Sequence, residues 1–231
     1  TLLSRSTRVV VGLVQMCSCT DKTLNMETIA HQVRRAVHRG ARLVCLPEAC
    51  MYIGPDPMGN AESWAVGKSG VIDELRGLAR MNRCWMSVGG LHVTASSCNE
   101  KSRGDVDKEG MVPESEGDRG ANDSDARVFN RHFIISPTGN IVSVYDKVHL
   151  FDNELTGLKE STTTVAGKKC GVVVDMGFAR VGLSTCYDLR FPEFFAKLVE
   201  NGAEVILAPS AFTKRTGGPH WDLLVRSRAL D

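Results

Sequence analysis

The stretch Val181-Gly-Leu-Ser-Thr-Cys186-Tyr-Asp-Leu-Arg-Phe-Pro-Glu193 decides how the chain is read. Val181 to Leu183 is an apolar run that reads as a buried strand, and it leads to a thiol. Pro192 and Glu193 suit the first turn of a helix, where proline's missing N–H is no loss and an acid meets the positive end of the dipole. Phe194, Phe195, Leu198 and Val199 give that helix an apolar face, and Gly202 stops it. A thiol at a strand-to-helix turn meets converging backbone N–H groups. They are expected to lower its pKa and to offer donors to an oxyanion. Taken alone, the same residues read equally well as a small buried cysteine packed at a strand end.

The totals bound the rest. A chain of 231 residues can bury a substantial core as one large domain or two small ones. A formal charge of +1 points to neither nucleic acid nor an anionic membrane, and no apolar run approaches the roughly 20 residues of a membrane span. Eight cysteines scattered through ordinary globular composition favour reduced thiols in a cytoplasm-like compartment over a disulfide scaffold. Cys17, Cys19, Cys45 and Cys50 lack zinc-finger spacing, so no metal is expected. The head, residues 1–8, is too short to read as a transit segment, which leaves a mitochondrial location open. At the other end, Arg228-Ala-Leu-Asp231 stops inside a helical pattern without a cap, so a C-terminally truncated domain is expected.

Working outward from the cysteine, residues 8–16 (RVVVGLVQM) read as a strand apolar on both faces, suited to a covered sheet. Thr20 or Asp21 caps a helix carrying Met26, Ile29, Val33 and Val37 at helical spacing, and Gly40 ends it. Residues 42–46 form a second buried strand running into Pro47-Glu48. A carboxylate at the carboxyl end of such a strand lies where α/β sheets place their sites, and desolvation there is expected to raise its pKa toward the range useful for proton transfer. It could equally cap backbone N–H groups of the loop. A helix with Val71, Leu75, Leu78 and Ala79 follows, then a strand over 84–93 whose Gly89-Gly90 pair suggests a bulge. Residues 96–127 are almost bare of large apolar side chains and read as a flexible insertion.

Order resumes with a hairpin, 128–136 and 141–145, around Pro137-Thr-Gly-Asn140. Lys147 follows at its end, either as a surface charge or as a fixed cation aimed into a pocket. A second hairpin, 172–175 and 179–185, leads to Cys186. A strand over 204–208 exits through Pro209-Ser-Ala-Phe212, and Gly217-Gly218-Pro219 opens a last helix through Ala229. The alternation of strands and helices predicts a layered α/β domain with reactive groups at strand ends.

Three strand ends thus carry Glu48, Lys147 and Cys186. A thiol nucleophile needs a base for its proton and a cation or donors for an oxyanion, and these residues supply both without a histidine. Leu46-Pro-Glu48, Tyr145-Asp-Lys147-Val-His-Leu-Phe-Asp152 and Cys186-Tyr-Asp-Leu-Arg-Phe-Pro-Glu193 together resemble the three signature blocks of the nitrilase superfamily, the carbon–nitrogen hydrolases. The resemblance covers nearly all of the chain outside the 96–127 insertion. Leu46-Pro-Glu-Ala49, Ser87-Val-Gly-Gly-Leu-His92, Arg190-Phe-Pro-Glu193, Pro209-Ser-Ala-Phe212 and Gly218-Pro-His-Trp221 are similar to the branch that includes the nitrilase half of nitrilase–Fhit fusion proteins.

That resemblance implies an α-β-β-α sandwich forming one domain over 1–231, with homo-oligomers as dimers or larger. It implies no cofactor and a small-molecule amide as substrate. Glu48 would act as base and acid, Lys147 and the Tyr187 N–H would hold the oxyanion, and Cys186 would carry a thioester. Glu160 matches the family's second active-site glutamate. Arg190, Phe212 and Thr216 match residues that contact a 2-oxo-dicarboxylate, and Arg190 could otherwise pair with Asp188 or Glu193. The substrate implied is deaminated glutathione, cleaved to 2-oxoglutarate and cysteinylglycine. The alternatives are 2-oxoglutaramate, as for an omega-amidase, and an inactive fragment or binding module.

Overall fold

The computed structural model describes residues 8–58, 60–62, 70–94, 127–154 and 157–230; nearly all of the 96–127 segment lies outside them. A first sheet forms from β1 (Val10–Leu13), β2 (Ala41–Leu46), β3 (Trp85–Thr94), β4 (Val128–Ile135) and β5 (Ile141–Asp146), side by side in that order. The first three are parallel, and β3, β4 and β5 pair antiparallel. The parallel crossovers are made by α1 (Lys22–His38) and α2 (Val71–Asn82). Of the two candidate caps for α1, Asp21 serves: its side chain accepts from the Leu24 N–H. Ile29 and Val33 are fully buried against the sheet, and Gly40 leaves the helix at φ 87°, a conformation glycine adopts without strain. The Gly89-Gly90 pair does make a bulge, since the β3–β4 register shifts between Val88 and Leu91.

A short hairpin, β6 (Asp152–Asn153) with β7 (Leu158–Lys159), lies beyond the lysine. A second sheet follows: β8 (Val173–Asp175) runs antiparallel to β9 (Arg180–Leu183), and β10 (Val205–Leu207) parallel to β9. The helix α3 (Pro192–Glu200) connects β9 to β10, and α4 (Lys214–Arg228) ends the chain described. Apolar side chains form two clusters. One joins α1 and α2 to the first sheet; the other joins Leu43, Ile134 and Tyr145 of that sheet to Val181, Leu183 and Leu207 of the second and to Phe194, Phe195 and Leu198 of α3. Gly182 brings α3 close, because a Cβ there would stand 3.3 Å from Leu198 Cδ2 and 3.0 Å from Ala203 Cβ. The layers are therefore helix, sheet, sheet, helix.

The structure departs from the sequence reading at both ends. The first strand has four residues rather than nine, and Val10, Val11 and Leu13 are 48%, 41% and 80% exposed rather than covered. Among the described residues it is an outermost strand, paired only with β2, so one edge and much of its surface face outward. The last helix does not begin at Pro219. It begins at Lys214, because the Thr213 side chain accepts from the Thr216 N–H and caps it there, leaving Pro219 inside the helix. Between Cys186 and α3 lies a turn of 3-10 helix, Cys186–Arg190, that the run of residues did not announce.

Candidate active site

Cys186 stands where β9 gives way to that 3-10 turn, with φ 47°, a left-handed conformation that strains a residue bearing a Cβ by about 1–2 kcal/mol. The neighbouring chain holds it there. The Cys186 N–H donates to Pro209 O at 2.9 Å, and the Ser184 N–H and hydroxyl both donate to Leu207 O. Ala49, next to Glu48, is also left-handed at φ 54°, and its N–H donates to Gly90 O at 3.0 Å. Gly90 must be glycine for Glu48 to fit. It has φ 57°, and a Cβ there would lie 2.6 Å from Glu48 Cγ and 2.6 Å from Asn130 Oδ1.

The three strand ends converge, and Glu160 joins them from the 3-10 turn Glu160–Thr162. Lys147 Nζ donates to Glu48 Oε1 at 3.1 Å and to Glu160 at 3.1 and 2.9 Å. Glu48 Oε2 accepts from the Ala211 N–H at 3.0 Å and Glu160 Oε2 from the Phe151 N–H at 2.7 Å. The sequence reading missed Asn130. From β4 it donates to both carboxylates, 2.9 Å to Glu48 and 3.1 Å to Glu160. The signal was present, as Asn130-Arg-His132 interrupts a strand whose every residue is buried.

The protonation pattern corrects two expectations. Burial pushes the Glu48 carboxyl up, but the Lys147 ammonium and hydrogen bonds from Cys186, Asn130 and Lys147 outweigh it and hold the group below its ordinary value. The Cys186 thiol is pushed well up, first by burial and then by the Glu48 carboxylate it bonds to, against the pull of Lys147 and the Ala211 N–H. Burial also opposes the charge on Lys147, yet Glu48, Cys186 and Glu160 raise its pKa. The resting site is a neutral thiol hydrogen-bonded to an ionised carboxylate beside an ammonium. The backbone donors near the thiol are too few to offset burial beside an anion. Moving the thiol proton to Glu48 leaves the charge of the cluster unchanged, so a thiolate can form without an external base.

Asp188 closes the far side of the turn. It is fully buried and accepts from Tyr145 Oη at 2.6 Å, the Thr185 N–H at 2.8 Å, and the N–H and Nδ1 of His149 at 3.2 and 2.7 Å. His149 stacks on Phe191 at 3.7 Å. His132, fully buried, donates from Nδ1 to Ser184 O at 3.1 Å and accepts from the Ser87 hydroxyl at 2.8 Å. Burial pushes its pKa down to about 4, so it is neutral and ties β4 to the strand that carries the thiol.

Arg190, Phe212 and Thr216 are the further residues the sequence singled out. Arg190, at the end of the turn that Cys186 begins, pairs with neither Asp188 nor Glu193. Its Nη2 lies 3.1 Å from His220 Nδ1, its guanidinium is 5.7 Å from the Tyr187 ring, and no carboxylate among the described residues engages it. Phe212 follows Ala211 and packs edge-on against Trp221 at 5.4 Å. Thr216 spends its hydroxyl on Thr213 in the first turn of α4. Among the described residues no group of three or more His, Cys, Asp or Glu could hold a metal ion, and no helix is long and apolar enough to cross a membrane.

A thiol, a carboxylate and a lysine gathered at strand ends of an α-β-β-α sandwich define the nitrilase-like class. The family model described as Carbon-nitrogen hydrolase matches residues 10–231, and the chain belongs to that family. It is 32% identical over 225 residues to the deaminated glutathione amidase of Bos taurus, covering 96% of this chain and 61% of the relative. It is 33% identical over 229 residues to that of Dictyostelium discoideum, covering 96% and 70%. The solved NitFhit protein of C. elegans superposes with a TM-score of 0.76 at 32% identity, over 95% of this chain and 48% of that one. The chain thus spans a little over three fifths of the bovine relative.

Proposed function

We propose that the chain hydrolyses a small-molecule amide through a thioester on Cys186, using no cofactor. The observation that carries this reading is the thiol bonded to an ionised Glu48 beside Lys147. Glu48 takes the thiol proton as sulfur attacks the amide carbon, and the carbonyl oxygen becomes an oxyanion. Lys147 and the Tyr187 N–H stabilise it. Protonated Glu48 gives its proton to the leaving nitrogen, the carbon–nitrogen bond breaks, and the amine departs. Water then enters, Glu48 takes its proton, and the thioester yields the acid and the free thiol. Glu160 and Asn130 hold Lys147 and Glu48 in place.

The acyl part is a 2-oxo-dicarboxylate. Arg190, engaged by no carboxylate among the described residues and backed by His220, suits its distal carboxylate through the two-pronged geometry of a guanidinium. Phe212 and Thr216 are the other residues that the resemblance assigns to this part of the substrate; Phe212 packs on Trp221, and the Thr216 hydroxyl is held by Thr213. Deaminated glutathione is the favoured substrate, since curated relatives at 32–33% identity carry that name over 96% of this chain. The test offers deaminated glutathione and 2-oxoglutaramate separately, with mass detection of both products and Cys186→Ala as control. Turnover of the first, lost in the variant, is the expected result. Preference for the second moves the substrate to that of an omega-amidase, and turnover of neither by the folded chain defeats the reading.

A further inference from the structure

Arg190 is held by two partners, and neither is an acid. Its Nη2 lies 3.1 Å from Nδ1 of His220, and its guanidinium carbon stands 5.7 Å from the centre of the Tyr187 ring. We infer that His220 and the ring of Tyr187 are positioning residues for Arg190: they fix the guanidinium without cancelling its charge, and so set the preference for an acyl group that ends in a carboxylate. The inference rests on the reading of Arg190 as the group that takes the distal carboxylate of the substrate.

The roles in the His220 contact follow from the chemistry of its partner. A guanidinium has five N–H donors and no acceptor, and it keeps its proton. The His220 Nδ1 must therefore accept, which makes the imidazole neutral with its proton on Nε2. A charged imidazole there would set two cations side by side. A carboxylate there would hold Arg190 more strongly, but it would take the fork and the charge that a substrate carboxylate needs. A neutral acceptor occupies one N–H and leaves the other donors and the positive charge open. The Tyr187 ring acts in the same sense, since an aromatic face attracts a cation without supplying a counter-ion.

The fold keeps both partners still. His220 belongs to α4, whose start is fixed by the Thr213 cap and by Phe212, packed edge-on against Trp221 at 5.4 Å. Gly217 lets this first stretch of helix lie close, since a Cβ there would stand 3.2 Å from Phe212 Cβ. The Tyr187 ring meets Phe151 at 5.1 Å and Phe191 at 5.7 Å, both edge-on. Phe151 in turn donates its N–H to Glu160, which accepts from Lys147. Tyr187 follows Cys186, and Arg190 ends the same 3-10 turn, so thiol, ring and guanidinium belong to one short element.

The test compares two amides of cysteinylglycine. The 2-oxoglutaryl amide carries the carboxylate, and the 4-oxopentanoyl amide has a methyl group in its place. The readout is the ratio of their kcat/KM values, the first over the second. In His220→Asp, which puts an anionic oxygen at the place of Nδ1, the ratio is expected to fall about tenfold or more, the value of a hydrogen bond between charged groups. The change should lie in KM for the 2-oxoglutaryl amide rather than in kcat. His220→Ala lowers the ratio less, and His220→Asn, a neutral acceptor of the same reach, restores it. Tyr187→Leu lowers it about two- to fivefold, while Tyr187→Phe keeps the ring and the ratio. A ratio that stays constant in His220→Asp while both rates fall together overturns the inference, since a merely structural role acts on both amides alike. A ratio near one in the unaltered chain defeats the reading of Arg190 and the inference with it. If the unaltered chain cleaves neither amide, the amidase reading fails separately, and the inference is tested by calorimetric titration with 2-oxoglutarate and 4-oxopentanoate. Tighter binding of 2-oxoglutarate, weakened about tenfold in His220→Asp, supports it; equal binding of the two, or none, overturns it.

Discussion

Two buried carboxylates flank Cys186, and they do opposite things. Glu48 shares its oxygens among a lysine, an amide side chain, a backbone N–H and the thiol itself. Asp188 spends its oxygens on Tyr145, His149 and the Thr185 N–H, all groups that hold the turn in place. Both are satisfied, as buried charges must be. Only Glu48 has the Cys186 thiol among its partners, and it is that proton which the proposed mechanism moves. Burial and partners alone do not mark a reactive carboxylate; what its partners can release does.

The comparison breaks most easily at Glu48. Glu48→Gln keeps the shape and removes the base, and kcat/KM is expected to fall by about 10³–10⁵ with the fold retained, as read by steady-state kinetics beside circular dichroism. In the proposed mechanism activity needs Glu48 ionised, and its pKa lies below the ordinary 4.5. The rate should therefore hold as pH falls to that value and drop only below it. A steep acid limb near pH 6.5 would instead point to a histidine base.

Asp188→Asn attacks the other carboxylate. It sets an amide among donors that want an acceptor, and a loss of about 3–5 kcal/mol in urea denaturation is expected. Stability that stays whole while turnover vanishes would place Asp188 with Glu48 rather than opposite it. Asn130→Ala tests what ties Glu48 to Glu160. A fall of about ten- to a hundredfold in kcat, with little change in KM, is expected for a residue that orients reactive groups without touching substrate.

The smallest effect is the quietest device, His132. Its pKa is about 4 folded and 6.5 unfolded, so the unfolded chain takes the proton first. Its contribution to stability is whole above pH 6.5 and is lost as pH falls toward 4. Between pH 7 and pH 5 the loss is about 2 kcal/mol. Urea denaturation at the two pH values should show that slope, and His132→Gln should flatten it.

The reactive groups were legible because each sits at a strand end inside a motif block. The groups that hold them were not. Asn130, His132 and Asp188 work through partners 82, 52 and 43 residues away in sequence, and no local pattern announces such a pairing. The charge states were misread for the same reason. A thiol at a strand end was expected to be acidic from its backbone alone, yet the Glu48 carboxylate brought beside it by the fold pushes it the other way. The helix α1 was legible from the spacing of Ile29 and Val33. The strands of the second sheet were legible too, over 172–175, 179–185 and 204–208, but their separation from the first sheet was not, because no local pattern tells which strands pair, and only the family resemblance implied it.

The central claim is that Cys186 attacks an amide and carries its acyl group. The most direct measurement is acid quench during turnover of deaminated glutathione, followed by peptide mapping with mass spectrometry. A 2-oxoglutaryl mass added to the peptide bearing Cys186 is expected, absent in Cys186→Ala along with turnover. Turnover that persists in Cys186→Ala, or an acyl group found on another residue, would contradict it.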